Sequence, residues 1–295
     1  MRIQFLVGAA LSSAAGVAVA APVVDGTIAG DAYGSARAVQ TVQTGFGDNF
    51  SEWNAAYGTI EGGRLYLALT GNLEANFNKL EIMIDSVAGG FNQFPATPGN
   101  DGAGNMSGLI FDNGFEADYH LILRRGNDGG NNKFDVDMAV LGTPTFSSFF
   151  DVFVELEGSA TLGPGPANAS PIEIAYDNSN VAGITGGDQA ADQAAALAVQ
   201  TGVELSIDLA DLGNPAGAIR ILAFQNNQDH AYASNQFLGG LPAPQGNLGS
   251  NGDAGYDGHL DIDLNNYGGN QWFIVPEPTS LLLLALGALG AIRRR

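Results

Sequence analysis

Short runs in which every second residue is apolar, separated by glycine-rich turns, constrain this chain more than any other feature. Lys79 to Asp85 alternates Leu80, Ile82 and Ile84 with Glu81, Met83 and Asp85, the period of a half-buried strand. Ala55–Ile60 and Leu65–Thr70 flank Glu61-Gly62-Gly63-Arg64, and Gly-Gly supplies the positive φ that a two-residue hairpin turn needs. Further strands are expected over 36–44, 117–124, 133–140, 151–157, 172–176, 203–209, 219–225, 259–264 and 271–275. Only Asp188 to Val199, rich in alanine, reads as a helix. Elements so short and numerous, among 42 glycines, predict an all-β antiparallel sandwich of the jelly-roll kind with one short helix. No internal repeat or linker divides the body, expected over 21–274.

Both ends of the sequence read as targeting segments. Arg2, the apolar stretch 3–19 and Ala18-Val19-Ala20 fit a secretory signal peptide over 1–20, with the mature chain starting at Ala21. At the other end, 275–295 places Pro276-Glu277-Pro278 before an uncharged run that includes Leu281, Leu282, Leu283, Leu284 and Ile292. Arg293, Arg294 and Arg295 follow. A helix over Thr279 to Ile292 spans roughly 21 Å, short of the roughly 30 Å of a bilayer core. The arginines can snorkel to headgroups and are expected to stay cytoplasmic, so the segment reads as a C-terminal transmembrane anchor. Pro276 and Pro278 stop the helix from extending backwards.

This order of a Pro-Glu-Pro block, a hydrophobic helix and a basic cluster resembles the PEP-CTERM sorting signal of Gram-negative bacteria. The resemblance implies export, an inner-membrane intermediate, processing by an exosortase at Pro276 to Pro278, and a destination at the cell surface or outside it. The short helix then serves as a transient handle.

Charge narrows the partners. The body holds 30 acidic and 7 basic residues, a net charge of −23. Such a surface repels nucleic acid, whose binding needs Lys and Arg against phosphate, and favours solubility and cations. With no cysteine, disulfides cannot hold an exported fold together.

No constellation announces catalysis. His120, His230 and His259 are scattered without metal-ligand spacing, and neither a nucleophile elbow nor a phosphate loop is present. His120 reads as a partly exposed strand residue, and His230 as a loop residue. Glu81 with Asp85, and Asp135 with Asp137, share strand faces and read as solvated carboxylates, although a hidden glycosidase pair would look the same. Asp253 and Asp257 lie in a Gly-rich loop resembling part of an EF-hand, but Gly255 and Leu264 stand where ligands should be. A looser Ca²⁺ site at Asp253 and Asp257 is the reading retained. Trp53 and Tyr57 are the aromatic candidates for stacking on sugar rings.

The strand phrases carry a second resemblance. Val24-Asp25-Gly26-Thr27-Ile28, the stretches 63–72 and 79–85, and later 202–209 and 219–224 are similar to family 9 carbohydrate-binding modules and DOMON-like domains. That resemblance implies a sandwich binding polysaccharide without catalysis. A secreted glycan hydrolase and a structural or ice-binding surface protein are the alternatives; Thr143-Pro144-Thr145 is the one Thr-x-Thr step.

Overall fold

The structure, a computed structural model, describes residues 20–277 apart from Glu155 and Asp253. The signal peptide and the anchor residues Leu281 to Leu284, Ile292 and Arg293 to Arg295 lie outside the described residues, as does Pro278. Among the described residues no helix is long and apolar enough to cross a membrane.

Two antiparallel sheets face each other. The first takes β1 (Ala38–Val39), β2 (Glu52–Glu61), β3 (Arg64–Asn72), β8 (Glu157–Leu162), β9 (Ile172–Asp177) and β10 (Gly202–Asp208), in the order β1-β2-β3-β10-β9-β8. The second takes β4 (Lys79–Asp85), β5 (Tyr119–Asp128), β6 (Asn131–Val140), β7 (Thr145–Phe149), β11 (Ile219–Asn226) and β12 (Ala233–Leu238), in the order β12-β11-β4-β5-β6-β7. A last strand, β13 (Phe273–Val275), also pairs with β11.

Local chemistry fixes the register. Gly62 (φ 59°) and Gly63 (φ 82°) turn β2 into β3 with Glu61 opposite Arg64, as a hairpin with two positive φ values requires. Near the other end of that pair the register slips between Trp53 and Ala55. There Gly71 (φ 145°) comes so near that a Cβ would lie 2.0 Å from the Glu52 carbonyl oxygen, so only glycine fits the bulge. The helix, α1 (Gln193–Ala198), is capped by Asp192, which accepts from the amides of Ala194 and Ala195.

Leu65, Leu67 and Leu69 of β3 meet Leu80, Ile82 and Ile84 of β4 between the sheets, all but fully buried. Each such side chain contributes about 1.5–3 kcal/mol of transfer free energy. A second apolar cluster lies on the far side of the second sheet, where Met83, Ile122, Leu222 and Phe224 pack against Phe94, Phe111, Leu248 and Ile262. The connections after β4 and after β12 thus add a third layer, which corrects several expectations. β4 is buried on both faces, not half-buried, and Glu81, Asp85, Asp135, Asp137 and His120 are buried rather than solvated.

Among the described residues two expected strands are absent. The described residues of 151–156 form no strand, and β8 starts only at Glu157. Residues 259–264 run from a bend at His259 to a 3-10 turn that opens at Leu264, and the amides of Leu260 and Asp261 bond to carbonyls of Asn105 and Ser250 in separate loops. Alternation makes a chain extended; a strand also needs a continuous neighbour. Conversely, β12 (Ala-Ser-Asn-Gln-Phe-Leu) and β7 (Thr-Phe-Ser-Ser-Phe) break the apolar alternation. In β12 the polar side chains are hydrogen-bonded: Asn235 to the carbonyls of Gln43 and Gln245, and Gln236 to Gln40 and the Trp53 amide.

Candidate functional site

Two groups of ionisable side chains sit on the outward faces of the two sheets. On the second sheet, β4 and β5 bring Glu81 and His120 side by side, and the loop after Asn226 adds His230. Glu81 spans both rings: Oε2 lies 2.7 Å from His120 Nε2 and Oε1 lies 2.6 Å from His230 Nδ1. The other edge of His230 faces Asp101, with Nε2 3.0 Å from its carbonyl oxygen and 3.2 Å from Oδ2. Asp101 Oδ2 also accepts from Lys79 Nζ at 2.6 Å and pairs with Arg124 at 3.1 Å. Arg124 continues the chain to Asp135 at 3.4 Å and to Asp137, which in turn takes the Ser148 hydroxyl.

Each shift in acidity has an identifiable origin. Burial alone would raise the Glu81 carboxyl, but His230 and His120 outweigh it and hold it well below the usual carboxylate range. Burial works against a charged His230 too; Glu81 and Asp101 overcome it and push the ring up to about 9. Asp101 is lowered because His230, Lys79 and Arg124 more than offset its burial. His230 (φ 60°) and Asp101 (φ 53°) both have positive φ, a conformation uncommon outside glycine that Asp and His adopt more readily than most residues.

The set has the residue types of an acid–base site, yet it is sealed. Glu81 and His230 expose no surface. Phe94 closes edge-on over His120, ring centroids 5.2 Å apart. Asp101, 21% exposed, is the side toward water. Its geometry suits clamping the third layer onto the sheet.

On the outward face of the first sheet, Glu204 of β10 receives the N-terminal segment. Its Oε2 accepts from the amides of Asp25 (2.9 Å) and Gly26 (2.8 Å), and Oε1 accepts from the Tyr33 hydroxyl at 2.9 Å. One oxygen from each of Asp25, Asp31 and Glu204 falls within 4.8 Å of the others. This is the set of described residues with the hard-oxygen chemistry of a divalent cation ligand group. Burial raises the Glu204 carboxyl to about 7, with Asp31 adding and the three hydrogen bonds opposing. Tyr33 is raised by burial first and by Glu204 second. Sequence reasoning missed the group, because its members are up to 179 positions apart and Asp25-Gly26 reads as simple turn chemistry.

The residues singled out from sequence fare unevenly. Trp53 is fully buried between the sheets, with Nε1 donating to Gln225 Oε1 at 3.0 Å. Tyr57 is buried under the N-terminal segment, its ring 6.3 Å from that of Tyr33. Neither offers a ring face to a sugar: the register slip between Trp53 and Ala55 puts these two residues, four apart, on opposite faces of β2, Trp53 in the core and Tyr57 under the N-terminal cover. Asp257 is exposed and its Oδ1 accepts from the His259 amide; its proposed partner Asp253 lies outside the described residues. The β5–β6 hairpin turns at Gly129 and Gly130, both at positive φ.

Open clefts mark the surface of the described residues. One of about 510 Å³ runs along the first sheet beside the Glu204 group, lined by Val23, Val24, Tyr66, Ser159, Thr161 and Glu173. Two others, about 630 and 360 Å³, adjoin each other at Ala216 and Gly217, at the end where the chain leaves the sandwich.

That departing segment decides the protein's address. Val275, fully buried, closes β13 opposite Ile219, and Pro276 and Glu277 follow half-buried. From Val275 onward the chain matches the model of the PEP-CTERM protein-sorting motif, over residues 275–295. The tail is a PEP-CTERM sorting motif. The protein is therefore an exported one, sorted by an exosortase toward the cell surface. No curated protein and no solved structure matches the chain, so the likeness of the body to carbohydrate-binding modules rests on its strand pattern.

Proposed function

We propose that the sandwich carried by this PEP-CTERM tail is a non-catalytic surface module that contacts extracellular polysaccharide. The observation that carries the reading is the open cleft of about 510 Å³ on the first sheet. Ser159 and Thr161 stand exposed along it and Glu173 is half-exposed. Hydroxyls and a carboxylate spaced along a strand can exchange hydrogen bonds with successive sugar hydroxyls, and Tyr66 with Val24 forms an apolar floor. An open, shallow and acidic groove implies weak binding that gains strength only when many copies are displayed together.

The fate of the acid–base groups speaks against catalysis. Glu81, His120 and His230, the residues best suited to proton transfer, are committed to one another beneath the third layer. A general base must come within hydrogen-bonding reach of its substrate. A glycan array probed with mature protein, with and without chelator, tests the reading. Binding to neutral or amino-bearing glycans, weakened by Glu173→Ala and Thr161→Ala, is expected. Blank arrays with no chelator effect on melting would remove the ligand and the ion together, and release of reducing sugar would make the protein a hydrolase.

A further inference from the structure

We infer that the end of the sandwich from which the tail departs, built by the β2–β3 turn and the loop 213–218, is the surface that seats against the membrane-bound enzyme reading the motif. The inference rests on the exosortase reading of the tail. Its basis is the absence of a spacer between fold and motif. Phe273 and Val275 belong to the core between the sheets. Just before them, the Gln271 amide donates to Asp112 and its side chain donates to the carbonyls of Gly240 and Gly268. The last strand is therefore pinned from both directions.

Only five residues, 276–280, lie between Val275 and Leu281, where the tail's leucine run begins, so that six Cα–Cα steps join the two. Fully extended they reach about 21 Å. While the apolar run occupies a membrane, this end of the body stays within that distance of it. An enzyme that grips Pro276-Glu277-Pro278 must meet the body at the same end.

The surface there has a definite character. Glu277 lines the smaller cleft with Gly63 and Pro215, and exposed Asn214, Ala216 and Ala218 keep the rim low. Glu61, Glu116 and Glu277 give it negative charge. The nearby cations are engaged: Arg220 Nη1 holds Asp85 at 3.0 Å, and Arg64 turns to Ser206 and the Pro171 carbonyl. Such a face repels anionic headgroups and complements a cationic protein surface.

The test follows conversion of full-length precursor to processed protein by pulse-chase in cells that carry the exosortase. Glu61→Lys with Ala216→Lys alters the exit end. Asp128→Lys with Asn131→Lys makes the same change in charge at the opposite end, on the exposed β5–β6 turn. The exit-end variant is expected to be processed at least tenfold more slowly and the control pair at the unaltered rate, with both melting like the parent. Inserting ten Gly/Ser residues between Val275 and Pro276 should make the two variants equal. Unchanged processing of the exit-end variant overturns the proposal. Faster processing does so too, since it means that the face sits on anionic lipid. If the unaltered chain is never processed, the exosortase reading fails and this proposal falls with it.

Discussion

Glu81 and Glu204 occupy equivalent places, each pointing outward from a central strand of its sheet, and the fold treats them in opposite ways. Glu81 is covered by the thick third layer, which brings His230 and Asp101 to it. Its carboxylate stays charged because burial arrives together with counter-charge. Glu204 is covered by a single passing segment that brings two amides, a phenol and two further acids. Its carboxyl is pushed up to about 7 because burial arrives without a cation. What covers a residue, rather than how deeply it is covered, sets its protonation.

The largest effect should come from breaking the charged side of this comparison. Glu81→Ala takes the carboxylate away from buried His120 and leaves buried His230 with Asp101 alone, and urea unfolding at pH 7 should show a loss of about 3–5 kcal/mol, as for other severed buried pairs. Next comes the alkaline limb. His230 titrates near 9 in the folded protein against 6.5 unfolded, so its contribution is fully present below about pH 6.5 and lost as pH rises through 9. Melting scans between those values should show a decline worth on the order of 3 kcal/mol, and His230→Gln should flatten it. The smallest effect belongs to Tyr33→Phe, which removes one hydrogen bond to Glu204 at a cost of about 1 kcal/mol. Because that bond favours the ionised form, carboxyl NMR should then find Glu204 titrating higher still. A downward move would break the contrast between the two faces.

The tail was legible in sequence because a sorting signal is linear: a Pro-Glu-Pro block, an apolar run and a basic cluster act in chain order. Several strands were legible for the same reason. β4 begins and ends where its alternation does, and the Gly62-Gly63 turn needs no distant partner. The candidate sites were not legible. His230 reaches Glu81 across 149 positions, and Asp25 meets Glu204 across 179. Phe94, Phe111, Leu248 and Ile262, buried large apolar residues inside glycine-rich connections, are the signal that could have revealed the third layer. Trp53 and Tyr57 misled because an aromatic residue on a strand looks the same in sequence whether its face is open or covered.

The sequence by itself determined that the chain is an antiparallel β-protein, that it carries a PEP-CTERM address and that its body is strongly acidic, since these depend on period, order and composition. Only the tertiary structure decided which strand faces water. Period two divides a strand's residues between two faces but cannot say what lies beyond either. That choice fell to segments far along the chain, and with it the charge on Glu81, the raised carboxyl of Glu204 and the burial of the aromatic rings.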